Sequence, residues 1–529
     1  MSAPLRTVSD LSGISPPESA DATPPLPAAS ETMNAIVARV ARARHAQPAW
    51  AAQSVAHRAH IIGAFRAQLF DRRQETAAII THETGKPIPE SLVAEIAMVL
   101  DGARFLVRNA ERVLSSSRRR SGTLAMWRKQ IIVHHQPFGV VAVVSPWNYP
   151  LLFTAMHVLP ALVAGNAVLL KPSEFTLRTA EHLAVMLHDS GVPRDVFQIV
   201  EGDGAIGADL VNADIDKVFF TGSARTGRRI AEACAPRFIP VSLELGSSDA
   251  AIVRADADIA LAASGIVWGR FTNAGQTCVA PKRAIVVGAA YDAFVAELSR
   301  AVAMLRIGSG TAVDTDVSHL INRPQTELLR SQIDDALSRG ARVVARSDVP
   351  AAFDDDRAYA PLLVLADVTP DMRVWREETF GPVLAVSRAA NDEDAVRQAN
   401  ATPFGLSGSV WTRDRRVGRA LALRLDAGAV VVNDCVITAG VAEVPHGGMK
   451  QSGHGRVHGV EGLLECVRTK TVVDDLLTGA RQPWWFGYGR ESAARMDAYL
   501  RLTHGHGIRE RLSGLPGTLR LLLRPERPV

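Results

Sequence analysis

Short apolar runs separated by stretches of helical spacing constrain the fold of this chain more than any other feature. Ile131-Ile132-Val133 reads as a strand, and Val140-Val141-Ala142-Val143-Val144 is a continuous β-branched run ending at Ser145-Pro146. Similar runs recur at Ala167-Val168-Leu169-Leu170, at residues 196–200 and at Lys217-Val218-Phe219-Phe220. Continuous rather than alternating runs are the texture of strands buried on both faces, as in parallel sheets. Helical stretches lie between them, for example residues 179–190, so the pattern predicts an α/β sheet of βαβ units. The alternation resumes at residues 250–253, 284–287, 362–366, 383–386 and 430–433, which predicts a second α/β domain. At 529 residues the chain is beyond the size at which one core stops growing, and two or more domains are expected.

The two ends differ from this pattern. Residues 1–32 are rich in Pro, Ser and Ala, with Pro16-Pro17 and Pro24-Pro25, and cannot bury enough surface to offset their ordering entropy. A disordered tail is expected there. Residues 33–114 carry apolar side chains at helical spacing, as in Ile61, Phe65 and Leu69, then Ile96, Leu100 and Phe105. Past about Asp475, Trp484-Trp485-Phe486 precedes an Arg-rich stretch of helical spacing with Tyr499 and Leu502. Three readings of this extension stay open: it docks on the protein's own surface, it makes a peripheral contact with a membrane face or partner, or it is mobile.

Composition narrows the function classes. Hydrophobic content of 47% and charged content of 22% are ordinary for a soluble globular protein. The net charge of +4 is small for this length and is spread along the chain, which argues against nucleic-acid binding. Cys234, Cys278, Cys435 and Cys466 show neither CxxC pairing nor ligand-like spacing with His. They predict no metal site and a reduced, cytoplasmic protein with one candidate reactive thiol. No apolar stretch approaches the roughly 20 residues of a membrane span, and the N-terminus lacks the pattern of a secretory signal.

Two glycine-bearing turns follow strands. Gly202-Asp203-Gly204-Ala205-Ile206-Gly207 matches GxGxxG, a turn that lets backbone approach a pyrophosphate, although six residues are a weak match. Phe219-Phe220-Thr221-Gly222-Ser223-Ala224-Arg225-Thr226-Gly227 leads into a second helix whose start also suits an anion. Composition does not choose between them.

Seven blocks, in order, resemble the signature of the aldehyde dehydrogenase superfamily. They are Ser145-Pro146-Trp147-Asn148-Tyr149-Pro150, Lys171-Pro172-Ser173-Glu174, Phe220-Thr221-Gly222-Ser223 and Leu243-Glu244-Leu245-Gly246. Gly275-Gln276-Thr277-Cys278, Glu378-Thr379-Phe380-Gly381-Pro382 and Pro445-His446-Gly447-Gly448-Met449-Lys450, with Ser452-Gly453, complete the set. Each is weak alone; together, across residues 40–475, they are specific.

The resemblance implies an aldehyde dehydrogenase-like α/β fold. It places a Rossmann-like dinucleotide-binding domain at residues 33–128 and 138–246 and an α/β catalytic domain at 247–447. A β-flap at 129–137 and 466–475 serves oligomerisation, and a C-terminal extension covers 476–529. A homodimer or homotetramer is implied. The cofactor implied is NAD, with NADP as the alternative. Its pyrophosphate lies by Gly222 and Ser223, so the GxGxxG turn, with Gly204, is left to flank the adenine. Lys171, Ser173 and Glu174 match positions around the adenosine ribose, Glu378 the position holding the nicotinamide ribose, and Trp147, Gly246 and Phe380 further cofactor positions. A carboxylate at Glu174 accepts from ribose hydroxyls and repels a 2′-phosphate, which favours NAD.

The same resemblance implies the chemistry. Cys278 is the nucleophile that forms a thiohemiacetal and then a thioester. Asn148, with the backbone N–H of Cys278, stabilises the oxyanion. Glu244 is the general base for the thiol and for the water that cleaves the thioester. The other three cysteines are read as buried, inert thiols. Phe153 and Met156, one turn apart, are expected to line the aldehyde tunnel, with Thr277 and Val279 beside the nucleophile; equally open is that the large pair only packs the core. No arginine at these positions awaits a second carboxylate, so an apolar aliphatic or aromatic aldehyde is expected. Two rivals remain: a coenzyme-A-acylating semialdehyde dehydrogenase, against which Glu244 argues, and a non-catalytic relative acting as a binding or oligomeric protein. The latter draws on one departure. Where the family continues Leu-Glu-Leu-Gly-Gly-Lys, this chain reads Leu243-Glu244-Leu245-Gly246-Ser247-Ser248-Asp249, and serine does not take positive φ cheaply.

Overall fold

The computed structural model describes residues 32–350, 359–477, 482, 484–486 and 488–523; the expected N-terminal tail, Thr32 apart, lies outside the described residues. The chain divides into two compact units, Met1–Val113 with Pro137–Cys466, and Leu114–Gln136 with Val467–Val529.

The first unit holds two sheets. One has six strands in the spatial order Gly453–His454, Val241–Leu245, Lys217–Gly222, Val140–Val144, Ala167–Lys171 and Phe197–Ile199. Its other five strands run parallel, and only the short Gly453–His454 strand is antiparallel, pairing Gly453 with Glu244. The parallel strands are buried on both faces, which is why their sequences are continuous rather than alternating. Register aligns their carboxyl ends: Val144 opposes Lys171 and Phe220, and Thr221 opposes Glu244. Four of the seven sequence blocks therefore emerge along one rim, where open α/β sheets bind ligands.

The second sheet has seven strands in the order Arg342–Arg346, Leu363–Ala366, Val383–Ala389, Pro281–Val287, Asp249–Val253, Ser407–Trp411 and Ala429–Val432. All neighbours are parallel except the first pair, an edge hairpin partner with exposed Arg342 and Arg346 that no apolar run announced. The core of this half is made by Ile252, Ile266, Phe271, Ile285, Phe294, Val364 and Val386, all nearly or fully buried.

In the second unit, Ser117–Arg119, Lys129–Pro137 and Val467–Asp475 form a three-stranded sheet. Asp475 accepts from both Arg128 Nη2 and Lys129 Nζ at 2.9 Å, and these bonds hold its carboxyl far below the usual carboxylate range. The extension forms two helices, Arg490–His504 and Ile508–Leu523, packed on one another. Ile508, Leu512, Leu515 and Leu519 remain exposed at helical spacing. Among the described residues no helix is long and apolar enough to cross a membrane.

Candidate active site

The helix Pro150–Val163 begins with proline, whose missing N–H is no loss in a first turn, and is buried almost all round. Its approach loop carries Asn148, which is 5% exposed. A buried ion pair fixes this corner. Lys86 Nζ lies 2.5 Å from Glu95 Oε1, and both side chains are fully buried. Lys86 also donates to the backbone carbonyl of Asn148 at 2.8 Å, and Glu95 Oε2 accepts the Leu151 and Leu152 N–H groups at the helix start. Each charge thus has both its counter-ion and further hydrogen bonds, the condition under which a buried pair is tolerated.

Opposite it, the helix Ile259–Phe271 runs into a turn in which Asn273, Ala274 and Gly275 all take positive φ, 51°, 53° and 75°. Two successive left-handed non-glycine residues are costly and persist only where surroundings enforce them. Here they do: Asn273 Nδ2 donates to Asn148 O at 2.8 Å, and buried Arg270 binds the carbonyls of Thr379, Gly381 and Val383. The turn delivers Gln276-Thr277-Cys278. Asn148 Nδ2 donates to Gln276 O at 2.9 Å, so one of its two amide N–H groups anchors the side chain and the second remains for a ligand. Tyr149 Oη and Thr277 Oγ1, 2.7 Å apart, lock the same contact.

Cys278 alone among the four thiols is partly exposed; Cys234, Cys435 and Cys466 are buried. Burial pushes the Cys278 thiol up to about 12; Lys282 pulls it down, while Glu244, Glu378 and Asp249 push it further up. At rest it is a protonated thiol that needs a base. Glu244, on Val241–Leu245, is 7% exposed, and burial raises its carboxyl to about 8, against a lowering by Arg456 and a small rise from Glu465. A carboxylate near pH 8 can take a proton at working pH and return it. Gly453 is required beside it: its φ is 105°, and a Cβ there would overlap Leu243 O.

The altered loop after Gly246 is accommodated. Ser247 does not appear among the positive-φ residues. Its N–H donates to Glu378 Oε1 at 3.0 Å, and its hydroxyl binds the buried Asp249 carboxylate, which also takes Ser407 N–H at 3.1 Å. A Cβ on Gly246 would overlap the Glu378 carboxylate.

Residues able to hold a dinucleotide line the rim. Ser223 caps the helix Ala224–Cys234, which has no acid in its first turn. The helix starting at Gly204 is different: Asp203 occupies the Ala205 and Ile206 N–H groups with a carboxylate, which repels phosphate. Lys171 Nζ lies 3.4 Å from Glu174 Oε2, Ser173 Oγ accepts from Phe175 N–H, and the Trp147 and Phe380 rings meet edge-on at 5.6 Å. Among the described residues no His, Cys, Asp and Glu cluster could hold a metal.

The model of the aldehyde dehydrogenase family matches residues 18–472. This chain belongs to that family. It is 34% identical over 88% of its length to a 4,4'-diapolycopene aldehyde oxidase of Methylomonas sp, of which 87% is covered. It is 37% identical over 83% of its length to a protein of Mycolicibacterium smegmatis named "Putative succinate-semialdehyde dehydrogenase [NADP(+)]", of which 84% is covered. The crystal structure of an NAD-dependent aldehyde dehydrogenase from Sinorhizobium meliloti superposes with a TM-score of 0.82 at 32% identity, covering 86% of this chain and 90% of that one. The fold is accordingly that of the aldehyde dehydrogenases.

The two residues expected to line an aldehyde tunnel differ in their surroundings. Met156 lines an apolar cavity of about 420 Å³, mouth included, together with Met98, Gly102, Leu152 and Ala442. Phe153 instead packs edge-on against Tyr149 at 5.6 Å and is 5% exposed. Thr277 and Val279 are buried on either side of Cys278, Val279 against Leu406 and Ala439. Lys86, Glu95, Lys282 and Asp249 were not singled out from sequence. The only local signal is a charged residue inside an otherwise apolar or glycine-containing segment, and that signal is common on solvated faces. Asn148→Ala is expected to lower turnover about 100-fold, some 3 kcal/mol of barrier, with little change in cofactor binding. Steady-state kinetics beside an NAD titration measure both.

Proposed function

We propose that this aldehyde dehydrogenase oxidises an apolar aldehyde to the carboxylic acid through a thioester on Cys278, with NAD(P) as hydride acceptor. The observation that carries the reading is the single Asn148–Gln276 contact, which brings an amide donor against the strained turn bearing the one partly exposed thiol. Glu244 takes the Sγ proton, and the thiolate adds to the aldehyde carbon while the carbonyl electron pair moves to oxygen. The free Asn148 N–H and the Cys278 N–H donate to that oxyanion. When bound, NAD(P) would supply the acceptor for the hydride that leaves as the carbonyl re-forms. Glu244, having released that proton to solvent, then takes a proton from water as the water oxygen adds to the thioester carbon; the C–S bond breaks with its electron pair going to Sγ, and Glu244 returns the proton to the thiolate.

Gly222, Ser223, Gly246, Lys171, Glu174 and Glu378 are the residues we assign to the dinucleotide, with Trp147, Ser173, Gly204 and Phe380 around them. Glu174→Ser is expected to raise the preference for NADP over NAD at least tenfold, since the carboxylate no longer opposes a 2′-phosphate; the ratio of kcat/KM for the two cofactors is the readout. The absence of Arg or Lys at Phe153, Met156, Thr277 and Val279 supports an apolar aldehyde over a carboxylate-bearing semialdehyde; Met156 also lines an apolar cavity, whose walls do not include Cys278. Exposed Val472 and Val473 on the Val467–Asp475 strand suit pairing with a second copy. The test is NADH formation with aliphatic, aromatic and carboxylated aldehydes, with products analysed in the presence and absence of coenzyme A. A thioester of coenzyme A as the product, or no NADH at all despite cofactor binding, contradicts the proposal.

A further inference from the structure

Position 248, lysine in the family pattern, is serine here, yet a buried ammonium still reaches the nucleophile from another element. Lys282 stands near the start of the strand Pro281–Val287, and its side chain is fully buried. Its Nζ donates to Thr277 O at 3.0 Å and to Cys278 O, and lies 3.9 Å from Glu378 Oε1. Burial lowers the Lys282 ammonium from its usual range; the Glu378 and Asp249 carboxylates raise it again, and the Arg270 cation adds to the lowering. Taking an ammonium out of water costs several kcal/mol unless it is paired and hydrogen-bonded, and this one is both. An apolar side chain would fill the same strand position without that cost.

The geometry indicates what the ammonium does. A trans peptide is planar, with its C=O and N–H on opposite sides. Lys282 and the Ala280 N–H (3.2 Å) together saturate Thr277 O. The other end of that same peptide is the Cys278 N–H, which finds no acceptor among the described residues. Holding the carbonyl therefore aims the N–H away from Lys282 and keeps it free. The bond to Cys278 O fixes the following peptide as well, so the residue bearing Sγ is gripped on both sides.

We propose that Lys282 is a positioning residue of the nucleophile, holding the Thr277–Cys278 peptide so that its N–H serves the oxyanion and placing a positive charge that favours the Cys278 thiolate. Lys282 is the leading influence that lowers the Cys278 thiol, set against burial and three carboxylates. The inference rests on the thioester reading, but its test does not need an aldehyde.

The experiment is alkylation of Cys278 by iodoacetamide in the full chain at about pH 9, followed by peptide mass spectrometry. Below the thiol's midpoint the rate follows the thiolate fraction, so Lys282→Met is expected to slow alkylation at least tenfold, which corresponds to about one pH unit. Lys282→Gln keeps donors for the carbonyls without the charge: alkylation slows as in Lys282→Met, while kcat falls less. Lys282→Arg restores the rate. In all three, kcat changes and the aldehyde KM does not. An unchanged alkylation rate in folded Lys282→Met overturns the proposal; if that variant does not fold by circular dichroism, an unchanged rate in Lys282→Gln does so. An inactive enzyme whose alkylation still depends on Lys282 contradicts the oxidation reading alone.

Discussion

Cys278→Ala is expected to lower aldehyde-dependent NADH formation by about 10⁴-fold or more, with NAD affinity unchanged. Removing a covalent nucleophile leaves only binding and oxyanion stabilisation, and losses of this order or larger follow when such a residue is deleted. The variant should fold as the parent does, because the thiol is partly exposed and has no hydrogen-bond partner whose loss would leave a buried group unpaired. Mass spectrometry supplies the second readout. Wild-type protein quenched during turnover should carry the acyl mass on the peptide containing Cys278, and the variant none. Equal acyl labelling on Cys234, Cys435 or Cys466 would contradict the assignment; these thiols are buried, and burial pushes each of them up.

The second large effect is expected at Glu244, in the pH profile. A general base works in its ionised form, and burial raises this carboxyl from 4.5 to about 8. The rate of thioester hydrolysis should therefore rise with pH to a midpoint near 8, and fall about tenfold per unit well below it. At pH 7 about a tenth of the protein carries the active carboxylate. Glu244→Gln should lower turnover about 10³-fold and remove this limb, while the acyl-enzyme accumulates and an NADH burst appears. A limb with the same midpoint surviving in Glu244→Gln would assign the titration to another group. Two buried histidines are poor candidates for it: burial holds His157 and His446 down at about 3, below the range in question.

Much of the site was legible because each block is local. Ser145 to Pro150, Lys171 to Glu174 and Leu243 to Gly246 sit at the ends of strands whose apolar runs are themselves visible, and strand register then brings them to one rim. The choice between two glycine turns was not settled by their spacing. The family resemblance chose the second, and the caps agree with that choice: Asp203 puts a carboxylate on its own helix start, whereas Ser223 leaves one free of acid. The edge strand Arg342–Arg346 escaped detection because an edge can be polar, and the π-helical turn Leu92–Ala97 because its period differs by one residue from that of an α-helix.

The replaced glycine-lysine pair shows where sequence reading stops. Taken in isolation, Ser247-Ser248 suggested a displaced loop, since serine resists positive φ. The tertiary structure asks for no positive φ there and turns the serine hydroxyl onto Asp249, two residues on. The residues around it come from distant segments: Ser407 from another strand, Lys282 from a third, and Glu378 from a loop. By itself, the sequence determined the α/β class, most of the buried strands and the family, and singled out Cys278 as the candidate nucleophile, because periodicity and short motifs are properties of neighbouring residues. Only the tertiary structure decided which charges are buried together, since the worth of Lys86, Glu95 or Lys282 depends on partners as much as 96 positions away and on the exclusion of water that packing alone provides.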